Sequence, residues 1–223
     1  ENLEAALGLA THSGNERGRC GVLSSIGLLS MSRGYLANAA DYFRRAADIA
    51  RRIGDRYNCG TASLNCSIAA YRRGYLPPAQ RDAEEALSAF QECEWKPGIC
   101  RSYLALGNIE RLRGNYKQAR MLYRKADSIA ESSGLLREKA LAAGYNGQVW
   151  LAWKKYGEAE NALLSSLSII NEVNPGSDIA LEQNRVLGKL KTETGDFGKA
   201  QEYLEEALKI SRDIKAGAEE GLV

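Results

Sequence analysis

Gly34-Tyr35-Leu36-Ala37-Asn38-Ala39 returns 40 residues later as Gly74-Tyr75-Leu76-Pro77-Pro78-Ala79, and again as Gly114-Asn115-Tyr116-Lys117-Gln118-Ala119. A fourth copy reads Lys154-Lys155-Tyr156-Gly157-Glu158-Ala159. The fifth, Gly195-Asp196-Phe197-Gly198-Lys199-Ala200, arrives 41 residues on, and the extra residue is assigned to the loop Asn174-Pro175-Gly176. Seven residues ahead of this turn stands a small residue in every copy: Gly27, Ser67, Gly107, Gly147 and Gly188. Past the turn, Ala39 is followed at +4 and +7 by Phe43 and Ala46. The counterparts are Ala83 and Ala86, Tyr123 and Ala126, Leu163 and Ser166, Leu204 and Ala207. A fixed period of this length is the mark of a repeat architecture, whose units bury their apolar faces only by stacking.

Each copy reads as two helices. The first has apolar residues at helical spacing over about 18 residues, as in 16–33, and the second runs over about 36–52. Gly14, Gly54 and Gly134 follow second helices, where a left-handed C-terminal cap is common. Asn15 and Asp55 stand where they N-cap the next helix. The small residue lets the hairpin partner approach closely. The period divides the chain into a single array over 1–223: a half repeat at 2–13 and full repeats at 15–53, 55–93, 95–133, 135–173 and 176–213. Residues 214–223 form the start of a further repeat or a tail.

These residues resemble the tetratricopeptide repeat (TPR), in its 40-residue form. The pattern shows as Leu23-x2-Ile26-Gly27, Gly34-x-Leu36-x2-Ala39, Phe43 and Ala46, and as Tyr103-x2-Leu106-Gly107, Gly114-x-Tyr116-x2-Ala119, Tyr123 and Ala126. Copies two and four depart most: Ser63 and Ala143 replace the large first residue, Ala83 the aromatic, and Lys154 the turn glycine. The form is similar to that of G-protein-signalling adaptors, kinesin light chains and bacterial multidomain regulators. The resemblance implies an all-α fold, a right-handed superhelical solenoid of antiparallel helix pairs, with a concave groove lined by the first helices. It also implies a groove that takes peptides.

Placed by phase, the groove lining includes Leu64, Ile68, Tyr71 and Arg72 in copy two, and Arg101, Leu104, Asn108 and Arg111 in copy three. Copy four adds Gln148; copy five adds Arg185 and Lys189. With Leu28 and Met31 at its front, the groove is expected to be apolar at one end and basic further along. Asn108 and Gln148 suit hydrogen bonding to a peptide backbone. The expected partner is therefore an acidic, amphipathic peptide or protein segment. A second reading pairs these arginines with glutamates on the same surface.

Composition agrees with helix and offers no chemistry. Of 223 residues, 44% are hydrophobic and 26% charged, which excludes a disordered or fibrous chain. The net charge of +2 gives no bulk argument for nucleic acid or an anionic membrane, and neither is expected as a partner. His12, the single histidine, has no evident nucleophile to activate. Cys59 and Cys66, like Cys93 and Cys100, stand seven apart, which is not zinc-ligand spacing. Cys66 occupies a core position. Glu84-Glu85 and Glu205-Glu206 read as a solvated outer face. Trp150 takes the large aromatic position of its copy and reads as core, while the role of Trp153 stays open. No phosphate-binding glycine loop occurs, and no cofactor, metal or catalytic residue is expected. Five cysteines in a chain without a basic-then-apolar leader suggest a reducing, cytoplasmic setting. A chain opening at Glu1 inside a repeat reads as part of something longer. The expected function is a non-catalytic interaction scaffold. The alternative is a regulatory segment of a larger bacterial transcription regulator or signalling protein, restraining a neighbouring domain.

Overall fold

The computed structural model describes residues 2–220, with side chains for 3 and 5–215. Eleven α-helices and no strand occur among these residues: α1 (Asn2–His12), α2 (Glu16–Ser32), α3 (Leu36–Arg52), α4 (Arg56–Arg72), α5 (Leu76–Glu92), α6 (Lys96–Leu112), α7 (Tyr116–Ser132), α8 (Leu136–Ala152), α9 (Tyr156–Val173), α10 (Asp178–Glu193) and α11 (Phe197–Glu220). The fold is all-α, built of antiparallel helix pairs in sequence order. Residues 214–220 continue α11 without a turn, and 221–223 lie outside the described residues.

Turn chemistry sets the helix ends. At the α2–α3 turn, Gly34 takes φ +83°, and the Tyr35 amide reaches back to the Ser30 carbonyl at 2.9 Å, satisfying an end carbonyl of α2. Where the sequence offers no glycine the backbone keeps the same geometry. Lys154 holds φ 58° while Lys155 N–H donates to the Trp150 carbonyl at 3.0 Å. Glu94 holds φ 54° with Trp95 N–H on the Phe90 carbonyl at 3.0 Å. Four helix starts among the described residues carry a side-chain cap: Asn15 accepts from the Gly18 amide, Asp55 from that of Asn58, Ser177 from that of Ala180, and Asp196 from that of Lys199. Prolines stand in the first turns of α5 and α6, where no intrahelical N–H is lost. The extra residue of the fifth period is absorbed where α9 ends at Val173 and Asn174 turns extended, at φ −160°.

The chain divides into two compact units, Glu1–Gly114 and Asn115–Val223. In the first, helices α1 to α6 pack each on the next, and α2 also touches α4, and α4 touches α6. The second helices α3 and α5 make no such backbone approach, so the first helices close one face while the second helices splay on the other. The core of this unit is made of Cys20, Leu23, Ala46, Ala50 and Cys59 in one cluster, and Ala39, Phe43, Cys66 and Ala69 in another. In the second unit α7 to α11 pack in order, with α8 on α10, around Leu163, Leu187 and Leu190 and around Ala140, Ile170 and Ala180.

In copies one, four and five the small residue is a socket. A Cβ on Gly27 would lie 2.6 Å from Cε1 of Phe43, which is fully buried. A Cβ on Gly147 would meet Leu163 at 2.7 Å, and one on Gly188 would meet Leu204 at 2.7 Å. In the second copy the large partner is reduced to Ala83, and Ser67 fills the space by donating its hydroxyl to the Ala79 carbonyl at 2.7 Å.

Candidate functional site

The face of the first helices is where a 17-residue helix, packed on neighbours at both flanks, still shows side chains to solvent. In the first unit these include Leu28, 48% exposed on α2, the half-buried Met31, and the half-buried Ile68 and Tyr71 of α4. Arg72 is exposed at the end of α4, and no carboxylate lies within ion-pair distance of it among the described residues. Asn108 and Arg111 of α6 are half-buried, and Arg101 is exposed. One helix turn decides the rest. Leu64 and Leu104, also expected to line the groove, are 6% and 3% exposed. They sit inside the helix packing and give a ligand little surface.

Two of the expected residues meet across one repeat. Nη2 of Arg111 donates to the Tyr71 hydroxyl at 3.3 Å, and Nε of Arg111 is buried with no acceptor. The contact holds the guanidinium against α4. The Arg101 guanidinium stands 5.9 Å from the Trp95 ring, within cation–π range.

The second unit behaves differently. Arg185 grips Glu182 with Nε and Nη2, both at 2.8 Å, and this hydrogen bonding raises the Arg185 pKa. Gln148 donates to the same carboxylate at 3.4 Å. Lys189 lies 3.8 Å from Glu193. The two cations expected of copy five thus face acids on their own helix, at i−3 and i+4.

On the opposite side of the first unit, the splay between α3 and α5 leaves a cavity of about 190 Å³ lined by Arg44, Asp48, Arg51, Ser63, Asp82 and Glu85 among others. Arg51 bridges it, donating from Nε to Glu85 at 2.9 Å and from Nη1 to Asp48 at 2.7 Å. Ser63 donates to the other Glu85 oxygen at 3.0 Å. Glu85 is therefore an inter-repeat partner, more than a solvated charge. Asp82 is 8% exposed beside the Arg81 guanidinium. Cys66 sits under this cavity, and burial, with the Asp82 charge, pushes its thiol up to about 12. No spacing in the sequence marks this site, because its members come from three helices.

The remaining candidates resolve locally. Nδ1 of His12 lies 2.8 Å from the Gly8 carbonyl at the end of α1. All five cysteines are free, and only Cys93 is exposed. No group of three metal-ligating side chains occurs among the described residues. Nor, among them, is any helix long and apolar enough to cross a membrane.

A family model described as Tetratricopeptide repeat matches residues 101–133 and 186–214, in the phase that the helix pairs follow. The helix pairs over these two stretches are similar to tetratricopeptide repeats. A search of curated proteins finds no match to it. Among solved structures the array is similar to a Rap protein complexed with competence and sporulation factor, at 16% identity and a TM-score of 0.78, over 88% of this chain and 54% of that one. It is also similar to aspartyl phosphate phosphatase F from Bacillus subtilis: 16% identity, TM-score 0.74, 95% of this chain and 55% of that one. TPR-like repeats of a Podosopora anserina kinesin light chain follow, at 14% identity and 0.63, over 89% and 97%. The array thus spans about half the length of the first two proteins. At such identities the likeness is one of fold.

Proposed function

We propose that the array is a non-catalytic scaffold whose first-helix face in the first unit captures an acidic, amphipathic peptide or protein segment. The observation that carries this reading is Arg72, a cation with no acid partner among the described residues, beside the half-exposed Ile68 and Tyr71 and the Arg111 guanidinium tied to Tyr71. Apolar groups supply area, the arginines supply bidentate donors for carboxylates, and Asn108 offers an amide to a peptide backbone. The similar Rap structure is a complex with competence and sporulation factor, which supports a peptide or protein as the class of ligand.

A labelled amphipathic acidic peptide, titrated by fluorescence anisotropy, tests it. Changing Arg72 and Arg111 to Ala should weaken binding about tenfold or more, since each supplies charge-assisted hydrogen bonds. Unchanged affinity sinks the assignment.

A regulatory role within a longer bacterial protein is the second reading. It is favoured by the likeness to Rap and to the aspartyl phosphate phosphatase, each nearly twice as long as the matched region. Four buried free thiols suit work in a reducing cytoplasm.

A further inference from the structure

The second unit carries a cluster of cations that its own carboxylates leave largely unanswered. Trp150 and Trp153, at the end of α8, stand edge to face with ring centroids 5.3 Å apart. Tyr116, the first residue of α7, meets Trp153 edge-on at 5.9 Å. The guanidinium of Arg120 lies 3.8 Å from the centroid of Trp150 and 5.8 Å from that of Trp153. Lys155 brings its Nζ to 5.2 Å from the Trp150 centroid. Two cations thus converge on one indole.

Around them Lys117, Arg124 and Lys154 are exposed, and none has a carboxylate within ion-pair distance among the described residues. Among the described residues Lys155 has only Glu158, at 3.9 Å. Nε of Arg120 is buried without an acceptor, and burial together with the like charge of Arg124 holds this guanidinium below its ordinary value. Arg120 and Arg124 repel at i,i+4, an arrangement that costs a helix stability. Most other cations of the unit have acids, among them Arg137 with Asp178, Lys139 with Glu131, Arg185 with Glu182, and Lys191 with Glu160. Unanswered charge held against aromatic rings is arranged for an anion from outside.

We propose that this edge of the second unit, formed by α7 and the α8–α9 turn, is a docking surface for an extended acidic segment of a partner protein. Trp150 holds Arg120 and Lys155 in place, so little side-chain freedom is lost when carboxylates arrive. Lys117 and Arg124 are separated by about 10 Å along α7, at 1.5 Å per residue. Same-side carboxylates on an extended segment repeat at about 7 Å, so two or three of them engage the row together. A nucleic acid is disfavoured because the rings pack on one another and Trp150 is covered by cations, leaving no platform for a base. The surface is distinct from the first-helix face of the first unit, and the two readings fail separately.

The test is anisotropy of a labelled ten-residue peptide alternating Glu and Gly, too polar for an apolar groove, with the Gln–Gly peptide as control. Lys117→Glu and Arg124→Glu together, both at exposed positions, should weaken binding by at least about tenfold, and raising NaCl from about 50 to about 300 mM should weaken wild-type binding similarly. Arg72→Ala with Arg111→Ala should leave this peptide unaffected. The proposal is overturned if the charge reversals leave affinity unchanged, if the Gln–Gly peptide binds as well, or if no binding occurs up to about 1 mM. It is also overturned if a single-stranded oligonucleotide or phosphatidylserine-containing vesicles bind this surface more tightly than the acidic peptide. Loss on the Arg72/Arg111 variant alone would assign the peptide to the first unit instead.

Discussion

Replacing Gly27 by Ala ought to stabilise α2 if that helix were considered alone. Exchanging glycine for alanine in a helix interior is worth about 0.8–1 kcal/mol. The structure reverses the sign. The new Cβ would lie 2.6, 2.8 and 3.0 Å from three ring carbons of Phe43. That ring has nowhere to retreat, being fully buried among Ala39, Cys66 and Ala69. Overpacking of this kind costs about 1–3 kcal/mol, so the net effect is a loss of about 0–2 kcal/mol. The diagnostic quantity is the dependence on the ring. In a Phe43→Ala background, itself costing about 3–5 kcal/mol, Gly27→Ala should recover its helix gain. The two effects of Gly27→Ala then differ by about 1–3 kcal/mol, read as the coupling energy of a double-mutant cycle. Urea unfolding followed by circular dichroism at 222 nm supplies the four midpoints. Equal stabilisation by Gly27→Ala in both backgrounds would refute the socket.

Four further outcomes are expected. Burial raises the Asp55 pKa, but hydrogen bonds from Asn58 and the charge and hydrogen bond of Arg17 outweigh it, so the folded value lies below the unfolded one. Its contribution is therefore complete above the unfolded pKa near 4 and lost as pH falls through the folded value; Asp55→Ala should cost about 1 kcal/mol at pH 7, a gap that closes on acidification in urea titrations. Glu160→Ala strands Lys191, whose side chain is 9% exposed, and should cost more than Lys191→Met, by about 1–2 kcal/mol in the same assay. A maleimide should label Cys93 in the folded chain within minutes, while Cys20, Cys59, Cys66 and Cys100 react only on unfolding, as intact mass will show. Glu94→Gly should raise the urea midpoint by about 1 kcal/mol equivalent, because φ 54° is strained for a side-chain-bearing residue.

The helices were legible because their signals are local. The period, the caps at Asn15 and Asp55, and the small residues at Gly27 and Gly147 act within a single hairpin. The departure at Lys154 was legible as a missing glycine, and the backbone keeps its left-handed turn regardless. The proposed binding face was legible only as a stripe. Helical phase names Leu64 and Ile68 alike, but whether a first-helix residue turns inward depends on how closely its neighbours pack, and Leu64 is buried. Arg185 has Glu182 three residues before it, yet sequence alone does not choose between that acid and a ligand. The stacking of Arg120 on Trp150 joins residues 30 apart on different helices, and the cavity over Cys66 joins three helices, so no spacing announced either.

The sockets bear on how such an array changes over generations. Gly27 and Phe43, Ser67 and Ala83, Gly147 and Leu163, and Gly188 and Leu204 are each 16 positions apart. A large side chain demands glycine opposite it, and a small one admits serine, whose hydroxyl then finds a carbonyl. Neither member is free to mutate alone without a clash or a void, so drift at these sites must proceed in pairs. Among homologous repeats, correlated substitution should therefore appear at a separation of 16, while the exposed arginines beside them vary with whatever each array has come to bind.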